Sequence, residues 1–289
     1  MLFLAVGMGF GRFSHTPMID FMLGQGGLTL EQSSWLASSN YLGYLTGAIA
    51  FSVFKLDKSV SHLGLVLGCC LVSSFLLLLM SLSDNFSLLL FIRLLAGVAS
   101  AGVMIYGTLY VFSLHNNALL LPGFYGGVGL GIFLSNESSA YMQAWGLNTD
   151  QMWSGLAVFS LGLTLVAVLM RQQPAAHEPP PSAPTVRSDS RQIDWKWLLL
   201  INGLAGYGYI ISATHLPLIV AHNVSHPWLQ SHIWSMVGLS VIPSCFVWKR
   251  FALNYGYNRA LICNLIFQTL GVALATVANS PLACVTPRV

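Results

Sequence analysis

Residues 62–82 read HLGLVLGCCLVSSFLLLLMSL, a run without a single Asp, Glu, Lys or Arg. A helix needs about 20 predominantly apolar residues to cross the hydrocarbon core of a bilayer. The apolar residues here do not alternate with polar ones, which argues against a strand. Similar runs recur near 2–23, 34–54, 86–113, 119–140, 151–170, 196–221, 229–247 and 259–279, making nine candidate spanning helices in all. Lipid tolerates only helices or closed barrels, because every backbone polar group must find a partner within the protein. The chain therefore reads as an all-α, polytopic membrane protein.

Composition agrees with this. Only 7% of the 289 residues are charged and 55% are hydrophobic, and the mean hydropathy is +0.69. A soluble domain carries roughly 25% charged residues. These values exclude a soluble enzyme, a secreted disulfide module and a disordered regulator. The net charge is +3, and no basic patch is dense enough to point to nucleic acid. Cys69, Cys70, Cys245, Cys263 and Cys284 form no CxxC pair, so they read as small packing residues rather than a metal or redox site. No nucleophile–base pair stands out. Neither catalysis nor a metal or cofactor is expected. The N-terminus lacks a basic lead, so no cleavable signal peptide is expected.

One segment breaks the apolar pattern. Residues 171–194, RQQPAAHEPPPSAPTVRSDSRQID, are polar and proline-rich, with too little apolar surface to fold alone. They divide the chain into a six-helix bundle at 1–170, a linker, and helices 7–9 at 195–289. The scarce charges give an orientation. With the N-terminus in the cytoplasm, the cytoplasmic loops hold Lys55, Lys58, Arg171, Arg187, Arg191, Lys196, Lys249, Arg250 and Arg259, and the outer loops before the C-terminal tail hold no Lys or Arg. That asymmetry satisfies the positive-inside rule and implies a multi-pass protein of the cell inner membrane. Trp35, Trp145, Trp153, Trp195, Trp197, Trp228 and Trp248 fall at or near the expected span boundaries, where an amphipathic ring suits the interface. Sequons start at Asn85, Asn136 and Asn223, a pattern frequent enough by chance to carry no weight.

The ionisable residues inside the spans nominate a site, since each is costly there. GFGRFSHTPMID at 9–20 puts Arg12 near mid-membrane, with His15 and Thr16 a turn further and Asp20 beyond. Arg12 either binds an anionic group or forms a structural lock with a carboxylate or the backbone. His15 either titrates in coupling or packs as a hydrogen-bonded core residue. Arg93 opens RLLAGVASAG at 93–102 in helix 4, where it either faces a cavity or an acid, or snorkels to the near interface. Glu137, near the outer end of helix 5, is either a proton carrier or a solvated residue. In GFYGGVGLGI at 123–132, Gly123, Gly127 and Gly131 share a helix face and favour close helix approach. GYGYI at 206–210 echoes GFGRF at 9–13, and each is followed by a threonine and a proline. Such internal symmetry around a linker is a feature of duplicated transporters. It also brings Tyr207 toward the expected cavity between the halves.

Two cytoplasmic loops carry further patterns. VFKLDKSVSH at 53–62 and RFALNYGYNRAL at 250–261 resemble degraded copies of the G-x-L-a-D-r-x-G-r-k signature of the major facilitator superfamily. Asp57 and Lys58 match in the first, and Gly256 and Arg259 in the second. With SWLASSNYLGYLTGA at 34–48 and the helix 1, 4, 5 and 7 stretches, the chain resembles the YbfB/YjiJ-type bacterial branch of that superfamily. The resemblance implies two six-helix bundles rocking about a midplane site. It implies a small-molecule substrate, transport driven by an ion gradient with protons as the expected coupling ion, and a role in coupling for Arg93. Against twelve helices in that family, the chain reads as a transporter lacking helices 10–12. The alternative is a non-transporting fragment or a membrane scaffold.

Overall fold

The computed structural model describes residues 1–24, 27–54, 60–114, 119–171, 195–223 and 226–278. Among them every regular element is helical. The first span comprises a short turn α1 (Leu2–Leu4), a π-helical segment (Ala5–Phe13) and α2 (His15–Gly24). It is followed by α3 (Leu30–Phe54), α4 (His62–Met80), α5 (Phe86–Ser113), α6 (Leu120–Ala144) and α7 (Thr149–Leu169). After the linker come α8 (Trp195–Asn223), α9 (Pro227–Tyr255) and α10 (Tyr257–Ala278). Four of these, α4, α5, α7 and α9, are long and apolar enough to cross a membrane by length and composition alone. In α3 and α6, mid-helix serine, asparagine and glycine lower the hydropathy, but many of those residues face other helices.

Local chemistry sets the helix ends. Thr29 and Gln32 form a reciprocal capping box, so α3 begins at Leu30, ahead of the apolar run. Asn148 and Gln151 do the same for α7. Ser61 and Asn85 cap α4 and α5 by accepting from Gly64 N and Leu88 N. Each such cap supplies an acceptor to an N–H that has none inside the helix.

The first span is the hub of the bundle, packed among α4, α5, α6 and α7. Leu4, Val6 and Met18 are fully buried, and Phe10 nearly so. Glycines allow this crowding. A Cβ on Gly9 would stand 2.9 Å from the Ile132 nitrogen of α6. One on Gly131 would stand 2.6 Å from the Cα of Ala5 and 2.8 Å from that of Gly9. Gly127 packs against the Met1 backbone, whereas a Cβ on Gly123 would meet nothing within 4 Å. A second glycine seam joins α3 to α5. There Gly43 lies against the Leu94 carbonyl, Gly47 against Val98, and Gly97 against the Asn40 carbonyl and the Tyr44 nitrogen. On another side of α6, Gly129 faces Gly238 of α9, where a Cβ on Gly238 would stand 2.7 Å from the Gly129 carbonyl oxygen.

The tryptophans divide into two groups. Trp35, Trp145, Trp197 and Trp228 are exposed, as interfacial rings would be. Trp153 sits near the start of α7, yet only 1% of it is exposed because it stacks against His15 in the core.

The turn between α9 and α10 consists of Gly256, at φ 90° and ψ 154°. This backbone region is essentially restricted to glycine. Replacing Gly256 by alanine is expected to cost about 1–3 kcal/mol, read as a lower thermal unfolding midpoint in detergent. An unchanged midpoint would contradict this turn geometry. Loop position 256 thus has a conformational reason to be glycine, whatever else the loop does.

Candidate functional site

The first span cannot run through as one regular α-helix because of Pro17. Proline has no N–H. In the π register the carbonyl of residue i accepts from residue i+5, so the donor owed to the Arg12 carbonyl would be Pro17. The π segment ends at Phe13, and Ser14 follows it with its hydroxyl donating back to the Phe10 carbonyl at 2.5 Å.

Helix α5 supplies the missing donors. Arg93 Nη2 donates to the Arg12 carbonyl at 3.2 Å, and Nη1 donates to the Gly11 carbonyl at 3.3 Å. Two turns along the same face, Ser100 Oγ donates to the Gly7 carbonyl at 2.7 Å. Arg93 is only 1% exposed. It is held from behind by Asn40 of α3, whose Nδ2 donates to the Arg93 carbonyl at 3.0 Å. Its guanidinium is therefore directed to backbone carbonyls of the first span, neither to an acid nor out to an interface.

Arg12 has different surroundings. It is partly exposed, and its guanidinium carbon lies 4.4 Å from the Tyr44 ring centre and 5.1 Å from that of Tyr41. Its own neighbour Phe13 is at 5.4 Å. Cation–π attraction at such distances contributes roughly 0.5–2 kcal/mol. Tyr209 of α8 lies within electrostatic reach of both Arg12 and Tyr41. The Tyr41 hydroxyl is 2.5 Å from Thr214 Oγ1, which ties α3 to α8. Among the described residues no carboxylate pairs with Arg12 or Arg93, and Arg12 Nε is buried without a hydrogen-bond partner.

The other nominated residues are dispersed. His15 is 2% exposed. Its Nε2 lies 3.1 Å from the Ser33 carbonyl and 3.4 Å from Ser33 Oγ, and its ring stacks on Trp153. Asp20 is exposed at the far end of α2 and does not meet Arg12. Tyr207 is 69% exposed. Tyr209, two positions on, is the tyrosine of this stretch that lies within electrostatic reach of Arg12. A Cβ on Gly206 or Gly208 would meet nothing within 4 Å, so the sequence echo of helix 1 is not an echo of its close packing. Arg259 is exposed in the first turn of α10. Asp57 and Lys58 lie outside the described residues.

Glu137 joins a second polar group, at the α6–α9 contact. Its carboxylate accepts from Ser235 Oγ and lies 3.6 Å from His232 Nε2. Next to it, Asn136 Nδ2 donates to the Ser231 carbonyl at 2.9 Å and to Ser235 Oγ at 2.8 Å. Asn136 is only 4% exposed; it is a helix-packing residue. The His232 ring stacks on Trp228, with 4.9 Å between ring centres.

Sequence reasoning did not single out Tyr41, Tyr44, Tyr209, Thr214, His232 or Ser235. Tyr41 and Tyr44 are three apart in SNYLGYL, hence neighbours on one helix face, but aromatic pairs of that spacing are commonplace in helix cores. Nothing local links them to Arg12.

A helical membrane protein organised around a broken, charged first span is the class that this fold and these side chains define. The chain belongs to the family described as uncharacterised MFS-type transporter YbfB, whose family model matches residues 4–288. The match extends across both sides of the 171–194 segment. No curated protein matches the chain. Membership makes it a multi-pass membrane protein of the major facilitator superfamily, in a family of transmembrane transporters that are in general non-enzymatic.

Proposed function

We propose that the chain is a secondary active transporter, moving a small solute across the cell inner membrane by alternating access and driven by protons. One observation supports this above the rest. Arg12, which meets no carboxylate among the described residues, stands midway along the first span, beside the Tyr41–Thr214 contact that joins α3 to α8. In this reading residues 1–170 and 195–289 are the two moving parts. The linker and the N-terminus are cytoplasmic, as the distribution of Lys and Arg favours. Asp57, Lys58, Gly256 and Arg259 belong to the loops that gate the cytoplasmic side.

Arg12 is the substrate contact, and Arg93 acts through it by holding the Gly11 and Arg12 carbonyls. The proton site is Glu137, because its carboxylate reaches across the α6–α9 contact to Ser235 and His232. His15 and Asp20 are the further proton-pathway candidates in this reading.

Reconstituted vesicles with an imposed pH gradient test the proposal. A panel of small solutes is expected to include one that the chain accumulates against its gradient. Glu137→Gln is expected to abolish that accumulation while leaving solute exchange at equal concentrations intact. Absence of uptake of every panel solute, with the chain correctly inserted, would overturn the transport reading.

A further inference from the structure

We propose that the space beside Arg12 is a binding site for a small organic monocarboxylate, with the Arg12 guanidinium as its anion receptor. The inference rests on the transport reading and names the substrate class of the same site.

Charge is the first argument. A guanidinium inside a membrane span is costly, and proteins normally offset this with an acid or with backbone carbonyls. Arg93 follows the second course, with both Nη groups committed to the Gly11 and Arg12 carbonyls. Arg12 follows neither. Its Nε is buried without a partner, as is that of Arg93, but no backbone carbonyl among the described residues accepts from Arg12 as Gly11 and Arg12 do from Arg93. The carboxylates nominated for pairing are elsewhere, Asp20 exposed and Glu137 engaged with Ser235. What surrounds Arg12 instead is aromatic, the faces of Tyr41 and Tyr44. Rings hold the cation in place without consuming its N–H donors in ordinary hydrogen bonds.

Stoichiometry sets the ligand's charge. Among the described residues the Arg12 guanidinium meets no acid, while both Nη groups of Arg93 are occupied, so the site matches one negative charge. A planar N–H fork matches the two oxygens of a carboxylate in a bidentate pair. The described residues around Arg12 offer no carboxylate to hold an ammonium group, which disfavours amino acids and organic cations. Tyr41 and Tyr44 present apolar ring surface beside the charge, and the Tyr41 and Thr214 hydroxyls are 2.5 Å apart at the edge of the cluster. An acid with a flat apolar body fits that combination better than a fully hydrated inorganic anion.

Location adds a consequence. Tyr41 belongs to α3, while Thr214 and Tyr209 belong to α8. A ligand on Arg12 would therefore touch elements from both sides of the linker, and its binding would respond to how those elements are spaced.

Equilibrium binding of radiolabelled benzoate to the purified full chain in detergent is the test, with benzamide, phenylalanine and inorganic phosphate as competitors. Saturable benzoate binding is expected, with no competition by benzamide or phenylalanine and little by phosphate. Arg12→Gln is expected to weaken it at least about tenfold, as loss of a charge-assisted pair would, and Arg12→Lys to keep part of it. The thermal unfolding midpoint of each variant checks that the loss is not a loss of folding. Absent or non-saturable binding overturns the proposal, as does equal competition by benzamide, stronger competition by phosphate, or undiminished binding in folded Arg12→Gln. Saturable, Arg12-dependent binding in a chain that moves no solute through vesicles would uphold the site and remove the transport reading alone.

Discussion

Replacing Arg93 by methionine is expected to lower the stability of the bundle by about 2–4 kcal/mol, and adding Pro17→Ala to that chain is expected to restore part of it. Arg93 donates to the Gly11 and Arg12 carbonyls at 3.3 and 3.2 Å. Without it the Arg12 carbonyl, which Pro17 cannot serve, is left unpaired at roughly 1–3 kcal/mol, and the Gly11 carbonyl loses a side-chain donor. Methionine also removes a buried charge and its desolvation cost, which keeps the net loss below the sum. An alanine at position 17 has the N–H that proline lacks. It can donate to the Arg12 carbonyl in the π register or to the Phe13 carbonyl in the α register, so the first span can satisfy itself. Thermal unfolding of the two single variants and the double variant in detergent measures this. A coupling of at least about 1 kcal/mol is expected, as for residues sharing one hydrogen-bond network. Strictly additive effects would mean that Arg93 stabilises the fold by some route other than the carbonyls Pro17 leaves open.

Gly131→Val is expected to cost about 3 kcal/mol or more, whereas Gly123→Ala is expected to be neutral or slightly stabilising. A Cβ at 131 would stand 2.6 Å from the Cα of Ala5 and 2.8 Å from that of Gly9. The obstruction is backbone on the opposing span, so no side chain can swing aside. Overpacking a core costs typically 1–3 kcal/mol and more when backbone must move. At Gly123 a Cβ meets nothing within 4 Å, and in a helix alanine is favoured over glycine by up to about 1 kcal/mol. The fraction of each variant that elutes as a single species from size exclusion, with its unfolding midpoint, separates the two cases. Equal behaviour of the two variants would show that the α6 glycines do not pack as described.

These two predictions mark how far residue patterns reach. Gly123, Gly127 and Gly131 have identical spacing, and periodicity places all three on one face. Which of them meets a neighbouring backbone depends on how far the first span extends along α6. Arg12 and Arg93 are likewise two buried cations to a sequence reader. Pro17 signals a break in the first helix, but the donor that repairs it comes from a residue far along the chain. Tyr207 and Tyr209 illustrate the same limit from the other side: both lie in the GYGYI stretch, and only the rotation of α8 decides that Tyr207 is the more exposed of the two while Tyr209 lies within electrostatic reach of Arg12.

Hydropathy and helix-length apolar runs determined the class of this protein and the approximate places of its helices. Each follows from the solvent: a bilayer demands long helices and makes every internal charge costly. The tertiary structure decided what each internal charge does. It gave Arg93 to the carbonyls of a π-helical segment, Glu137 to Ser235 and His232, and Arg12 to tyrosine faces with no acid at hand. Hydrogen bonds and ring contacts between residues far apart in the chain depend on helix rotation and depth, and neither quantity is written in the local pattern of residues.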